Sequence, residues 1–200
     1  MRSSPPEGFR VRPATVDDAP AINDLMVAAD IAVQGWSDST AAELIDWWRL
    51  TDLATNSWVM ENDSLAAYGV VIPHGETAET DGFVDPAKTG RGLGSWILGR
   101  GEERARELGF ASVLTWSLAA DTDARTLFER FGYREVRRFY RMSIEHETEP
   151  AAPEWPEGFC VNTFARGDGR AFHAALDEAN ALLGIHEASR AAAGLARLQY

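Results

Sequence analysis

The sequence predicts a mixed α/β domain in which short strands alternate with amphipathic helices. Its 200 residues are 45% hydrophobic and 25% charged, which is enough apolar material for one domain with a buried core. Hydrophobic residues alternate in some segments and recur at helical spacing in others. In chain order the segments read β-α-α-β-β-β-α-β-α-β, and a loop with three glycines separates one strand from a long helix near the middle.

The first half of the expected domain, up to residue 72, contains three of these strands and two of the helices. The first helix is expected to bury Ala21, Ile22, Leu25, Met26 and Ala29, which share one face. Capping residues and turn residues set the expected limits of each element. The elements are a strand at 9–12, a helix from Asp17 to about Ile31, a helix capped by Ser39 or Thr40 and running to Trp48, and strands at 57–61 and 65–72 joined by Asn62-Asp63-Ser64.

The second half completes a domain that we expect to span residues 1–145. Gly132-Tyr133 is expected to stop the last helix of this domain. The elements are a strand at 78–84, a helix that ends at Leu108, a buried strand at 112–118, a helix from about Thr122 to Phe131, and a closing strand at 137–144.

The glycine-rich loop is the most informative stretch. Pro86 ends the preceding strand, and Gly90, Gly92 and Gly94 come before or at the start of the long helix. Glycines let the backbone approach a ligand closely, and the free N–H groups of a helix start, with its dipole, suit a phosphate. Lys88 and Arg91 are expected to add positive charge there. The loop lacks the Gly-Lys-Ser/Thr ending of a P-loop and the third-glycine spacing of a dinucleotide fingerprint.

Thr89-Gly90-Arg91-Gly92-Leu93-Gly94 resembles the acetyl-CoA loop of the GNAT (GCN5-related) N-acetyltransferases, Gln/Arg-x-x-Gly-x-Gly/Ala, with Thr89 in place of Gln or Arg. The element order over residues 7–145 is also that of the GNAT fold. The resemblance implies a central, mostly antiparallel sheet flanked by helices, and acetyl-CoA as the co-substrate. The cofactor-binding residues it implies are Phe83, Val84, Thr89, Gly90, Arg91, Gly92, Leu93, Gly94, Ser95, Asp121 and Phe128.

The segment from Asp121 to Tyr133 is similar to the family's second landmark, Asn-x-x-Ala-x-x-Leu-Tyr-x-x-x-Gly-Phe, with Asp121 for Asn and Phe128 for Tyr. In many members that tyrosine protonates the leaving CoA thiolate, whereas Phe128 has no proton to give. We therefore expect Phe128 to belong to a core-facing helix stripe. Tyr68, Tyr133 and Tyr140 are the substitute acids, of which we favour Tyr133.

Acetyl transfer to an amine also needs a polarised carbonyl and a base. The resemblance assigns the first task to the backbone N–H of Phe83 or Val84. Glu79 and Asp81 share a strand face by alternation and are the candidate bases. A solvated strand face without catalytic meaning is an equally good interpretation. Glu76 and His74 are weaker candidates.

Net charge and composition limit the classes of molecule that the protein is expected to bind. A net charge of −12 disfavours nucleic acid and is compatible with a small amine substrate, although ordinary solubility explains it equally well. No apolar run could span a membrane, and residues 1–12 do not read as a signal peptide, so we expect a cytoplasmic protein. Cys160 is the single cysteine, and no metal site is predicted. Trp36, Trp47 and Trp48 border either the acceptor groove or the core.

Residues 7–12 recur 150 residues later as 157–162, and the match continues through Asp168 and Leu176. We therefore expect a linker at 146–157 and a partial second repeat, a strand plus helices, at 158–200. Its apolar stripe predicts a homodimer through this segment or docking on the first domain. Two functions remain open at this point: an active N-acetyltransferase, or a catalytically weak acyl-CoA-binding half of a tandem protein.

Overall fold

A computed structural model describes residues 4–165 and 167–182. The described residues form two compact units, 4–134 and 135–182. In chain order the elements are β1 Arg10–Arg12, α1 Ala19–Gln34, α2 Ala41–Trp48, α3 Leu53–Asn56, β2 Ser57–Glu61, β3 Leu65–His74, β4 Thr77–Val84, α4 Leu93–Glu107, β5 Val113–Leu114, α5 Thr122–Arg130 and α6 Gly169–Leu182.

Within the described residues the five strands form one sheet in the order β1-β2-β3-β4-β5. The first three pairings are antiparallel, and β4 pairs with β5 in parallel. The predicted mixed, mostly antiparallel sheet with flanking helices is therefore confirmed.

Strand alternation divides the core between the two faces of the sheet. On one face Ala67, Val71 and Ala78 pack with Leu93 and Ile97 of α4. The other face packs against α1 and α2, with the core residues Ile22, Leu25, Leu44, Trp48, Val59, Tyr68, Val70 and Ile72. The α1 prediction holds for Ile22 and Leu25, but Ala21 is exposed because it lies at the edge of the buried face.

Helix α4 lies unusually close to the sheet. Gly69 and Gly82 are cross-strand partners, and Ile97 fills the space above them: a Cβ added at either glycine would lie 2.4 Å or 2.7 Å from Ile97 Cγ2. A Cβ at Gly101 would lie 2.3 Å from Thr80 Oγ1. The missing side chains of these glycines therefore set the separation between helix and sheet.

Three predicted strands differ from the structure. The strand expected at 112–118 is only Val113–Leu114, which pairs with β4 through two residues. The described residues 137–144 and 159–162 form no strand. An alternating pattern shows that a segment is suited to a sheet, but a strand also needs a neighbour with free backbone groups. Side chains such as Phe139 and Phe159 are accordingly exposed.

Unit 135–182 includes part of the segment in which a second repeat is predicted. Helix α6 occurs where the second copy of the first helix is expected. The linker at 146–157 has no helix or strand. Residues 183–200 of the predicted repeat lie outside the described residues. The domain limits and the repeat therefore stay predictions.

Candidate active site between strands β4 and β5

The central feature of the site is a wedge between β4 and β5. The two strands pair only at Ala78 with Val113 and at Glu79 with Leu114. Beyond this point β4 continues to Val84, still paired with β3, whereas β5 ends at Leu114. Among the described residues, one edge of β4 is therefore left without a ladder partner along this stretch.

The direction of the β4 amides follows from a single hydrogen bond. Ala78 N–H donates to Ser112 O at 3.1 Å, towards β5. Backbone N–H groups alternate along a strand, so those of Gly82 and Val84 also face the wedge, while that of Phe83 faces β3. Gly82 N–H donates to Asp81 Oδ1 at 2.8 Å. Of the two candidates for carbonyl polarisation, Val84 is thus the one with an amide directed into the wedge.

The loop after β4 delivers helix α4 to the same place. Gly90 and Gly92 have φ values of +75° and +84°, which only glycine adopts without strain. No described atom lies within 4 Å of a Cβ at either position, so the loop borders open space. The first helical hydrogen bond runs from Trp96 N to Gly92 O, and no side chain of the described residues caps the helix. The N–H groups of Leu93, Gly94 and Ser95 therefore face the loop, where they suit an anion.

Gly94 has a different reason to be glycine. A Cβ there would lie 3.3 Å from Leu127 Cδ2 of α5 and 3.8 Å from Val84 Cγ2. The start of α4 thus packs tightly between α5 and β4. The sequence predicts close approach of a ligand at all three glycines, and at Gly94 the tight packing against Leu127 also favours a residue without a side chain.

The two basic residues predicted for the loop have separate roles. Lys88 Nζ donates to Ser64 Oγ at 2.6 Å, to Asn62 Oδ1 at 3.2 Å and to Leu65 O at 3.3 Å, so the ammonium group is held by the β2–β3 turn. Its charge is paired with Asp85, whose Oδ2 lies 3.7 Å from Nζ. The expectation that Lys88 adds charge to the loop is wrong. Arg91 is exposed and its guanidinium lies 4.5 Å from the Phe9 ring centroid. Thr89, also exposed, bonds back to Pro86 O at 3.3 Å.

Glu79 and Asp81 do share one face of β4, the face towards α1. Burial raises the pKa of Asp81 to about 7. The hydrogen bond from the Gly82 N–H lowers this pKa, whereas the negative charges of Glu79 and Asp30 raise it further. Burial also raises the pKa of Glu79, against a hydrogen bond from Trp116 and the charge of His74. The Glu79 carboxylate is 3.8 Å from His74 Nδ1. The contributions of Asp30 and Trp116 were not predicted, because both are remote in sequence.

The Trp residues have three different environments. Trp48 is buried and its Nε1–H donates to Tyr68 OH at 2.6 Å, so Trp48 belongs to the core. Tyr68 lies beneath α2, and burial raises the pKa of its phenol, with a further contribution from the charge of Asp81. Trp47 lines an open groove of about 500 Å³ between α1 and α2, and Trp36 is exposed.

Helix α5 carries the remaining predicted residues. Asp121 accepts a hydrogen bond from Ala124 N at 2.8 Å and so caps the helix. Phe128 is half-buried, with its ring centroid 5.8 Å from that of Tyr133. Tyr133 packs on the α4 side of the sheet, the face opposite to Glu79 and Asp81, so the structure does not bring the three candidate catalytic residues together.

Comparison with known proteins gives a family match. Residues 20–133 match the model of the acetyltransferase (GNAT) family. The chain is similar to a GCN5-related N-acetyltransferase from Sphaerobacter thermophilus, with 33% sequence identity and a TM-score of 0.72. The match covers 88% of this chain and 59% of that protein, so the chain spans less than two thirds of its length.

Two further solved structures share the fold at lower identity. The yncA protein from Salmonella typhimurium, solved with its cofactor acetyl-CoA, is 21% identical with a TM-score of 0.52, over 64% of this chain and 80% of that one. The ribosomal-protein-S18-alanine N-acetyltransferase from Escherichia coli is 18% identical with a TM-score of 0.52, over 64% and 78%. No curated protein matched the chain.

No group of three or more His, Cys, Asp or Glu residues in the described part of the chain could hold a metal ion. None of the helices described here has the length and apolar character needed to cross a membrane.

Proposed function

The chain belongs to the acetyltransferase (GNAT) family, and from this premise we propose that it transfers the acetyl group of acetyl-CoA to a primary amine of a small molecule. The observation that carries the proposal is the uncapped start of α4 beside the open edge of β4. This arrangement supports the proposal because N–H groups able to bind a phosphate and an N–H group able to bind a carbonyl oxygen border the same wedge.

The described residues fit acetyl-CoA. The N–H groups of Leu93, Gly94 and Ser95 would hold the pyrophosphate, and Gly90 and Gly92 leave room for it. Arg91, which is exposed beside this loop, can supply the counter-charge that Lys88 does not. Asp121 and Phe128 border the proposed acetyl-CoA site from the side of α5. The main role of Asp121 is to cap that helix.

When bound, acetyl-CoA supplies a thioester carbonyl that an amine can attack. The Val84 N–H is directed into the wedge, where it can donate to the carbonyl oxygen as negative charge develops there. Asp81, with a pKa of about 7, can accept a proton from the amine near neutral pH. Glu79, two residues away on the same face, adds negative charge that attracts a protonated amine to the site.

The leaving thiolate also needs a proton, and the predicted site residues do not supply a suitable acid. Phe128 has no proton to give, and the Tyr133 hydroxyl is buried on the other side of the sheet. Burial raises the pKa of Tyr133, which makes its phenol a poorer acid. We propose that water in the wedge protonates the thiolate and that Tyr133 has a positional role instead.

The second candidate function is an acyl-CoA-binding module with little or no turnover. The observation that favours it is the absence of an acidic group at position 128, together with Thr89 at a position where the resemblance implies Gln or Arg. Both functions predict acetyl-CoA binding, so binding alone does not separate them. A homodimer through the C-terminal segment and a cytoplasmic location are parts of the proposal that sedimentation and fractionation would test.

The binding half of the proposal is tested by calorimetry with acetyl-CoA. We expect Gly92→Glu to weaken binding by at least about a hundredfold, because a carboxylate would occupy the space of the pyrophosphate. Gly35→Glu is the matched control. Gly35 also has φ +84°, so the backbone strain is equal, but it lies at the end of α1 and not in the glycine loop. No heat with the parent protein at millimolar acetyl-CoA would refute the proposal.

Turnover is tested with a panel of small primary amines, by release of CoA thiol. The rate should rise with pH through about 7, as Asp81 loses its proton, and Asp81→Asn should remove this rise. A protein that binds acetyl-CoA but releases no thiol with any amine would establish the binding-module function.

A further inference from the structure

Arg91 has a charge without a carboxylate partner among the described residues. Its side chain is exposed and makes no ion pair within residues 4–165 and 167–182. The start of α4 has a partial positive charge, so a guanidinium directly before the N-cap Gly92 is unfavourable unless an anion neutralises both. The position of Arg91 therefore indicates a negatively charged ligand. Other arginines of unit 4–134 do pair with carboxylates: Arg10 with Glu61, Arg12 with Asp18, Arg49 with Asp46, Arg100 with Glu103 and Arg104 with Glu107.

The contact that Arg91 makes is with an aromatic ring. Its guanidinium carbon lies 4.5 Å from the centroid of the Phe9 ring. This distance is well within the range, up to about 6 Å, at which the face of a ring attracts a cation. A contact of this kind leaves most of the N–H donors of the guanidinium free for a second partner. Arg91 can therefore contact Phe9 and bind an anion at the same time.

Phe9 provides a firm support for this contact. It is only 8% exposed and belongs to the core cluster that also contains Leu93 and Trp96 from the start of α4. It directly precedes β1, which is paired with β2, and its backbone N–H donates to Pro6 O at 3.3 Å. An exposed arginine loses side-chain freedom when it binds a ligand. A contact that limits this freedom in advance lowers the cost of binding.

We propose that Phe9 is a positioning residue for the acyl-CoA site: its ring holds the Arg91 guanidinium beside the start of α4, where the guanidinium donates to the pyrophosphate of the ligand. Phe9 itself does not touch the ligand and acts only through Arg91. The role rests on the proposed function, because that function supplies the anion.

A double-mutant cycle on acetyl-CoA affinity, measured by calorimetry, tests whether Phe9 acts through Arg91. Arg91→Met removes the charge and should weaken binding about tenfold to a hundredfold, the effect of hydrogen bonds to a charged group. Phe9→Leu keeps an apolar side chain and should weaken binding about threefold to tenfold, the effect of one partly desolvated cation–π contact. In the Arg91→Met protein, Phe9→Leu should change affinity by less than about twofold. Phe9→Tyr, which keeps the ring, should stay within about twofold of the parent.

Trp58→Leu is the matched control. Trp58 is also 8% exposed, belongs to the same core cluster, and has its ring centroid 5.4 Å from the Arg100 guanidinium. Arg100 is eight residues after Gly92, or about 12 Å along the axis of α4. The control therefore removes a similar contact from the same core, away from the loop, and should leave acetyl-CoA affinity within about twofold. An equal loss of affinity in Trp58→Leu, or additive losses in the cycle, would overturn the inference, since either would indicate a merely structural residue.

A second ligand identifies the phosphate. Acetyl-dephospho-CoA has the pyrophosphate but no 3′-phosphate, so Phe9→Leu should weaken its binding as much as that of acetyl-CoA. A loss confined to acetyl-CoA would overturn the assignment to the pyrophosphate. In an active protein, Phe9→Leu should raise the KM for acetyl-CoA and leave kcat and the KM for the amine constant.

If the parent protein does not bind acetyl-CoA, the proposed function fails, and the same cycle with inorganic pyrophosphate decides the inference. Weaker pyrophosphate binding in both single variants, without a further loss in the double variant, would support it. A parent protein that binds neither ligand would overturn it.

Discussion

Gly101→Ala tests the close approach of α4 to the sheet. A Cβ at this position would lie 2.3 Å from Thr80 Oγ1 and 3.1 Å from Thr80 Cβ. Thr80 is buried and its hydroxyl donates to Val70 O at 3.3 Å, so it cannot turn aside without losing that bond. Overpacking of this kind costs about 1–3 kcal/mol, and loss of the hydrogen bond about 1 kcal/mol. Alanine gains about 1 kcal/mol over glycine in a helix interior.

The expected net result is a decrease of about 1–3 kcal/mol in the free energy of unfolding, measured by urea titration with fluorescence detection. Thr80→Ala combined with Gly101→Ala provides the internal check, because it removes Thr80 Oγ1, the atom nearest to the added Cβ. The double variant should be more stable than the sum of the two single changes predicts, by about 1 kcal/mol or more. A Gly101→Ala protein as stable as the parent, or more stable, would show that helix propensity dominates and that α4 does not lie this close to β4.

Three further predictions concern an ion pair, a lysine and an aromatic residue. The Arg12 guanidinium lowers the pKa of Asp18 from 3.8 to about 2, so Asp18 should contribute about 2 kcal/mol of stability above pH 4 that is lost as the pH falls to 2. Urea midpoints across this range should show the full loss in the parent and in Asp17→Asn, its exposed neighbour. The loss should be smaller in Asp18→Asn, where Glu61, whose pKa Arg10 and Arg12 also lower, still contributes. Lys88→Met should lower the free energy of unfolding by about 1 kcal/mol, because the bonds to the β2–β3 turn are lost, and should leave acetyl-CoA affinity within twofold of the parent. A tenfold loss of affinity would show that Lys88 binds the phosphate after all. Phe128→Tyr should raise the rate of CoA release up to about a hundredfold in an active protein, and Phe131→Tyr is the control. An unchanged rate across the amine panel would favour the binding module.

Much of the fold is local in origin and was therefore predictable. Thr40 caps α2 through Glu43 N, as expected from its sequence, and Asn62-Asp63-Ser64 joins β2 to β3. These features depend on residues a few positions apart. The strand expected at 137–144 depended instead on a distant partner with free backbone groups, which the sequence does not identify. Similarly, the apolar run at 112–118 indicated a buried strand, but β5 finds only two residues of β4 to pair with.

The candidate site shows the same division between local and long-range effects. The helix start, the positive φ of Gly90 and Gly92, and the shared face of Glu79 and Asp81 follow from local backbone geometry. The partners of the individual side chains do not follow from local backbone geometry. Lys88 lies next to the glycine loop in sequence, but its ammonium group reaches a turn more than twenty residues away. No pattern in the sequence indicates such a contact.

Strand β4 explains why the proposed phosphate site at the start of α4 and the candidate base on β4 lie close together. On the face towards α4 its residues are small, with Thr80 and Gly82 beneath Gly101 and Ile97. Small residues let the helix approach, and the approach places the start of α4 beside the end of β4. The alternate residues of the strand, Asp81 among them, face α1, where burial raises the pKa of that carboxylate. A two-residue period in one strand therefore supplies close packing on one face and candidate chemistry on the other, so a one-residue shift in the register of β4 would remove both at once.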